Sequence, residues 1–482
     1  MKKRTLALIL SVFMLFALTA CGGEETSSDL PEINYGNEVD TEDDDDETMD
    51  GTTTTVIQGG SSGNKSPALD MDVYEKVDVP VINKKAKTQF LESVPKSLKG
   101  KTVSILTWWE PMDNEVAKMK TFEKETGIKI KWIPAIGDYA SKLASMIAAN
   151  NSPDIAGMRN ADFPTSILQG RFRPISESKL DLTKTDVFDK ETLNNFKVNG
   201  EVYGIVVKGS SLLGFNVLTY NNDIFINNGI KTPAEYFKAG EWNRDTFLEL
   251  CKQIKTKTGL TAIGGEYGGH QLVKAGGLQA VEVINGKLVS NIDNSDYREN
   301  IRWVTRLSTT EKVADWGMSR DSFINGKCAM YLDAGYALQS DNVYSKAKIN
   351  LGFVPVPSPK GVNKVYGSTQ LWGFPVSNKA GTKKDNIEAA SYALEYWQNP
   401  VYDEEGNSMW LNSSVSAFIS YCYSQPKSYT ASEGVVSYSG DYSYNTMLND
   451  LLNYGPDSVD TQCAKWSKVI SANIKKISDE WS

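Results

Sequence analysis

The sequence predicts an α/β protein of two lobes, carried behind an address segment and a polar tether. Three observations support this. From Lys101 onward, apolar residues switch repeatedly between strand and helix spacing. The β-α units so counted exceed what one small domain needs, and 482 residues fit about two to three domains. Before about residue 95 the chain is dense in acids, Thr, Gly and Ser, and cannot bury enough apolar surface to order itself.

The chain opens with a basic run, Lys2-Lys3-Arg4, followed by an apolar stretch from Leu6 to Leu18. That stretch is too short, and too closely followed by Cys, to span a bilayer comfortably. It ends Leu18-Thr19-Ala20-Cys21, which resembles the bacterial lipobox: a branched apolar residue, two small residues, then Cys. The resemblance implies a signal peptide over 1–20, cleavage before Cys21, and a diacylglycerol anchor on its sulfur. Residues 21–95 then read as a disordered tether. Its acidic half, with 13 Asp and Glu and no Lys or Arg over residues 22–50, extends by self-repulsion. Glu42–Glu47 is an unbroken acidic block, without the alternate spacing and Gly turn of a calcium loop. No later apolar run is long enough to cross a membrane.

The body is read over 96–482. Val103–Thr107 is a short buried strand, and Asn114–Thr126 is a helix stopped by Gly127 in the position of a C-cap glycine. Ile128–Trp132 alternates as a strand, Asp138–Asn150 is helical, and Asp154–Met158 is a third strand. This β-α-β-α-β order predicts a parallel sheet with right-handed crossovers. The alternation resumes with a strand at Leu212–Tyr220, helices at Arg244–Lys255, Asp296–Thr309 and Asp321–Asn325, and strands at Cys328–Leu332 and Leu351–Val356. Asn386–Gln398, Tyr444–Asn453 and Asp460–Trp481 read as further helices.

Charge and composition narrow the function. The net charge of −9 is a property of the tether: its 13 unmatched acids and the three leading bases account for −10, leaving the body near neutral at +1. The body therefore offers no basic field for nucleic acid. One histidine, His270, excludes a zinc site built on several His, and it reads as an ordinary surface residue. Cys251, Cys328, Cys422 and Cys463 show no metal-like spacing, and neither pairing nor the free state is fixed by position. No cofactor is expected. The stock of 11 Trp, 22 Tyr and 16 Phe suits ligand stacking as well as core packing.

A family resemblance arises at Ser322-Phe323-Ile324-Asn325-Gly326-Lys327-Cys328-Ala329-Met330-Tyr331 through Gly335-Tyr336. It is similar to the signature of family 1 extracellular solute-binding proteins: a helix ending Phe-x-x-Gly-Lys-x-Ala-Met, a strand, then Gly and an aromatic. Other stretches agree, in order. Pro153-Asp154-Ile155 with Gly170–Ile175, Tyr203-Gly204 with Leu218–Phe225, Pro233 with Trp242 and Phe247, Gly352–Pro357, and Gly367–Pro375 with Ala389, Ala390 and Leu394 all resemble family positions. Val206 departs from the usual Pro, and Tyr336 stands where Trp is common. The resemblance spans roughly residues 100–400. It implies a two-lobed periplasmic-binding-protein fold of type II with a ligand cleft between lobes joined by crossing strands. Lobe 1 would take about 100–206 plus 357–400, and lobe 2 about 212–352 plus part of 401–482. It further implies a monomer that binds a small molecule, here a sugar, and closes by a hinge. The closed form would be presented to the permease subunits of an ABC importer at the outer face of the membrane.

Sugars present apolar faces and hydroxyl rims, so candidate contacts are aromatic planes with polar neighbours. Trp108, Trp109 and Glu110 follow the first strand at its carboxyl end, where α/β sheets bind ligands. Asp162 follows the third strand. Tyr336 matches the stacking aromatic of maltose-binding-type members, with Asp333 on the same turn. Gln370 and Trp372 fall on the segment returning through the cleft. Trp242, Trp303 and Trp397 read as core. Competing readings are a glycan-acting enzyme, which needs two carboxylates across a cleft, and a surface adhesin or sensor. Within transport, a peptide, polyamine or sugar phosphate is the competing ligand, with Arg159 and Arg171 as anion partners.

Overall fold

The computed structural model describes residues 84–184, 187–206, 216–265, 268–339, 343–362, 365–367, 371–376, 386–399, 411, 413–425 and 427–481. Cys21 and Gln370 lie outside them.

Two sheets form the frame. The first has strand order β2-β1-β3-β14-β4, with β1 (Thr102–Thr107) central between β2 (Lys129–Pro134) and β3 (Ile155–Met158), both parallel to it. Here the predicted β-α-β-α-β unit is realised. β4 (Phe172–Arg173) and β14 (Leu371–Pro375) close the far edge, with β14 antiparallel to both β3 and β4. Val103, Ile105 and Leu106 of β1 have no exposure, so this strand is buried on both faces. Its first crossover helix, Asp113–Thr126, ends at Gly127, whose φ of +74° favours a residue without Cβ; the Gly127 N–H closes the helix on the Glu123 carbonyl at 2.8 Å.

A short hairpin, β5 (Lys197–Val198) and β6 (Glu201–Val202), precedes the passage to the second sheet. That sheet has order β12-β7-β11-β8, from β7 (Asn216–Asn221), β8 (Thr261–Gly265), β11 (Cys328–Ala334) and β12 (Leu351–Pro355). A second hairpin is formed by β9 (Val281–Ile284) and β10 (Lys287–Ser290), and helix Val459–Trp481 packs against it. β7 is antiparallel to β11 and β12, and β8 is parallel to β11. The carboxyl ends of β8, β11 and β12 therefore share one edge.

The chain passes between the sheets more than once. Ile205 exchanges two backbone hydrogen bonds with Trp372 of β14, after which β7 begins the second sheet. β12 leaves the second sheet, and β14 rejoins the first. Helix Ile387–Gln398 packs on helix Asp113–Thr126 and β1, whereas Phe418 of helix Ser413–Ser424 meets Phe353 of β12 at 5.2 Å. A small parallel pair, β13 (Val365–Gly367) with β15 (Lys427–Tyr429), lies on these passages. The last helices, Tyr444–Asn453 and Val459–Trp481, pack with helix Ser295–Thr309.

One sequence expectation is corrected here. Helix Lys84–Ser93 lies within the stretch read as tether. Its residues are mostly polar, but Phe90 is buried and packs against Tyr392 and Tyr396 at 5.9 and 5.8 Å, and with Ala86 and Leu91 beside it docks the helix on the core of the first lobe. Lys87 assists by pairing with Glu125 at 3.2 Å. Cys251, Cys328, Cys422 and Cys463 are all free and buried. No helix among the described residues is long and apolar enough to cross a membrane.

Candidate functional site

The first half of the site grows from the carboxyl end of β1. Trp108 and Trp109 are both partly exposed, and their rings meet edge to face at 4.9 Å. Trp108 stacks on Trp372 at 5.8 Å with 8° between planes, and meets the edge of Tyr139 at 5.2 Å. The six-membered ring of Trp108 lies over Gly157; a Cβ there would sit 2.3 Å from the ring, so only glycine leaves it room. Tyr139 donates its hydroxyl hydrogen to the Gly157 carbonyl at 2.6 Å, which fixes the far side of the pair.

Trp109 is held by hydrogen bonding. Its Nε1–H donates to Glu115 Oε2 at 3.0 Å, and the same oxygen accepts the Met112 N–H at 3.0 Å. The Thr107 hydroxyl donates to the Trp109 carbonyl at 2.8 Å. Burial raises the Glu115 carboxyl above its ordinary pKa, partly offset by the Trp109 hydrogen bond. Behind the pair, Trp372 is only 3% exposed and meets the edge of Trp397 at 4.4 Å. Trp372 is thus the backing of the platform rather than its open face. Glu110 is exposed at the rim and has no hydrogen-bond partner among the described residues.

The second half grows from the end of β11. Tyr336 sits on the 3-10 turn Gly335–Leu338 and is partly exposed. Its hydroxyl oxygen accepts from Arg320 Nη2 at 3.1 Å, and the guanidinium lies 5.6 Å from its ring centre. Arg320 is in turn held by Asp333, through Nε at 2.8 Å and Nη2 at 2.6 Å. Asp333 also accepts the Tyr344 hydroxyl and the Ala334 N–H, each at 2.8 Å. Its side chain is 0% exposed and both oxygens are occupied, so Asp333 positions Arg320 and has no lone pair turned to the cleft. Burial by itself lowers the Arg320 pKa, but the Asp333 carboxylate and Tyr336 hydroxyl outweigh it and hold the guanidinium firmly charged.

Asp162 is likewise engaged. Its carboxylate accepts from the Arg159 N–H, Nε and Nη2 at 2.9, 2.9 and 3.2 Å, and it is 7% exposed. Two of the three carboxylates expected as ligand contacts, Asp162 and Asp333, are therefore already engaged by arginines, whereas Glu110 is not. Arg320 and Glu115, which hold Tyr336 and Trp109, were not singled out in the sequence. The available signal for Arg320 was its place one helix before Asp333 in the same helix-turn-strand unit. Trp242 and Trp397 pack in the core as expected, Trp242 donating to the Pro355 carbonyl at 2.7 Å. His270 differs from expectation: it opens helix His270–Lys274 and is partly buried, and desolvation with help from Lys274 pulls its pKa down to about 4.

Two α/β lobes joined by crossing strands, with aromatic planes at the carboxyl ends of their sheets, define a cleft-type binding protein. The profile of the family described as bacterial extracellular solute-binding protein matches residues 117–408, and the chain belongs to that family. Solved structures of similar fold include an ABC substrate-binding protein from Listeria monocytogenes in complex with cycloalternan, 17% identical with a TM-score of 0.56, over 79% of this chain and 98% of that one. A cyclic alpha-maltosyl-1,6-maltose binding protein from Arthrobacter globiformis aligns at 15% identity and a TM-score of 0.58, over 78% and 99% of the two chains. A maltose/maltodextrin-binding domain from Bdellovibrio bacteriovorus bound to maltotriose aligns at 16% and 0.56, over 78% and 100%. Among curated sequences, lipoprotein LipO of Bacillus subtilis is 24% identical over 252 residues, 47% of this chain and 48% of that protein. The chain thus spans about half the length of that relative.

Proposed function

We propose that this protein is a lipid-anchored receptor that captures a carbohydrate between its lobes and hands it to an ABC importer. The observation that carries this reading is the platform of Trp108 and Trp109. Two indoles are held in place by Gly157, Tyr139, Trp372 and Glu115 yet remain partly exposed at the carboxyl end of β1. Flat apolar faces of a pyranose stack on such planes, while exposed polar groups take its hydroxyls. Glu110 on the first lobe, and Arg320 with Tyr336 on the second, are suited to the latter part. The similar oligosaccharide-binding structures, two of them solved with cycloalternan and maltotriose, favour the same class of ligand. Leu18-Thr19-Ala20-Cys21 supplies the anchor, and the polar segment after it supplies reach. Closure of the lobes on the ligand signals occupancy to the permease, because ligand contacts on both lobes exist only in the closed form.

The test is thermal melting of the full chain in detergent against oligosaccharides, monosaccharides, sugar phosphates, peptides and polyamines. A ligand bound only by the folded state adds RT ln(1 + [L]/Kd), about 2.7 kcal/mol at a hundredfold excess over Kd. A shift with an oligosaccharide, lost in Trp109→Ala, is expected. A shift only with peptides, polyamines or phosphates would overturn the carbohydrate reading.

A further inference from the structure

Arg244 carries an unusual burden. It is the first residue of helix Arg244–Thr258, is 6% exposed, and has no carboxylate within ion-pair distance among the described residues. Its guanidinium lies 4.3 Å from the Trp303 ring centre, and Nη2 donates to the Leu272 carbonyl at 3.0 Å and to the Asn300 side-chain oxygen. Nε is buried with no hydrogen-bond partner, and Nη1 has none among the described residues. Burial pulls its pKa down to about 9, so it keeps its charge at neutral pH. A buried, charged and half-satisfied guanidinium is costly to keep and calls for an anionic partner.

That guanidinium lines a cavity of about 650 Å³. The other walls are the Trp303 ring, Gly276 and Gly277, and the segment Pro359–Val362 that leads from β12 back toward the first sheet. The two glycines let the walls close: a Cβ on Gly276 would strike Asn300, and one on Gly277 would strike Val362. The N–H groups at the helix start are already spent, on Asn243 Oδ1 and the Ser358 carbonyl, leaving Arg244 as the free donor. Asp245, Asp296 and Glu299, the last paired with Arg302 at 3.5 Å, also line the cavity and are exposed, against one exposed lining base, Lys360. A positive floor under a net negative rim suits neither a dianion nor a simple amine. None of the lining residues belongs to the Trp108, Trp109 and Tyr336 constellation.

We propose that this cavity is a second ligand site, which takes a small zwitterion such as an amino acid or short peptide, carboxylate on Arg244 and ammonium among Asp245, Asp296 and Glu299. The Trp303 ring provides the apolar wall between the two ends. The occupant also touches Pro359–Val362, on the return path between the lobes.

Calorimetric titration of the full chain with glycylglycine, L-lysine, glutarate, 1,5-diaminopentane and inorganic phosphate tests this. Saturable binding of glycylglycine or L-lysine is expected, at least tenfold tighter than glutarate, diaminopentane or phosphate. Arg244→Gln should weaken it at least tenfold. Glu299→Lys, an exposed change that leaves the core alone, should weaken the zwitterion severalfold and strengthen glutarate. Trp109→Ala should leave it unchanged. Preferred binding of phosphate or glutarate, zwitterion binding insensitive to Glu299→Lys, loss in Trp109→Ala, or no binding of any probe would each overturn the proposal.

Discussion

Removing the charge of Asp333 should destabilise the second lobe and loosen Tyr336, the aromatic proposed to contact the ligand, together. In Asp333→Asn the shape is kept, but the Arg320 guanidinium loses its counter-charge, and the amide NH2 must face donors from Arg320, Tyr344 or Ala334. Breaking a buried ion pair by removing one partner costs about 3–5 kcal/mol. The Arg320 side chain is 18% exposed and can turn partly toward water, so the low end, about 3 kcal/mol, applies to Asp333→Asn. Arg320→Met is the harsher change. It leaves the carboxylate, 0% exposed, with no charge partner, and about 4–5 kcal/mol is expected. The double variant should cost less than the sum, because each change removes the partner the other left stranded. Urea unfolding followed by tryptophan fluorescence and far-UV circular dichroism measures all three. Single variants within about 0.5 kcal/mol of the parent, or strict additivity, would refute the assigned role of the pair.

Three further expectations follow from the same geometry. His270 is the one histidine of the chain, so its imidazole resonances are unambiguous in an NMR titration; its pKa should fall near 4, held down by desolvation and Lys274. Because the folded state keeps His270 neutral while the unfolded state protonates near 6.5, stability is full above that pH. It declines as pH falls from about 6.5 to about 4, by at most about 3 kcal/mol, and His270→Gln should flatten this slope; an ordinary titration near 6.5 would contradict the burial. Gly157→Ala places a methyl 2.3 Å from the Trp108 ring, and should cost about 1–3 kcal/mol and weaken sugar binding more than tenfold, whereas unchanged binding would remove the Trp108 plane from the site. Cys251, Cys328, Cys422 and Cys463 should resist a thiol reagent in the folded chain and all react in guanidinium without reductant, burial having pushed Cys328 up to about 12 and Cys463 to about 11; fewer than four released thiols would mean a disulfide.

Local pattern made much of this fold readable. Val103–Thr107 and Asp154–Met158 are short apolar runs between turn signals, and both become strands of the first sheet at about those bounds. Tyr444–Asn453 is a helix over the predicted span, because Tyr444, Met447, Leu448, Leu451 and Leu452 repeat at helical spacing and are buried. Helix Lys84–Ser93 was hidden by its polar composition: only Phe90 and Lys87 are buried, and their partners lie far along the chain at Tyr392, Tyr396 and Glu125. The site was legible only in part, for the same reason. Trp108, Trp109 and Tyr336 could be placed at strand ends by position. Whether Asp162 and Asp333 were free could not, since that depends on Arg159 and Arg320 turning onto them. The buried state of Trp372 depends on Trp397 and Trp108 from other elements. Partnerships set by three-dimensional packing leave no periodic trace in one sequence.

The central claim, capture of a carbohydrate by closure of the two lobes, is tested most directly by small-angle X-ray scattering of the full chain in detergent, with and without the oligosaccharide that raises its melting temperature. The account predicts a smaller radius of gyration at saturation, with the change absent in Trp109→Ala at the same sugar concentration. Tight binding with no contraction would contradict closure.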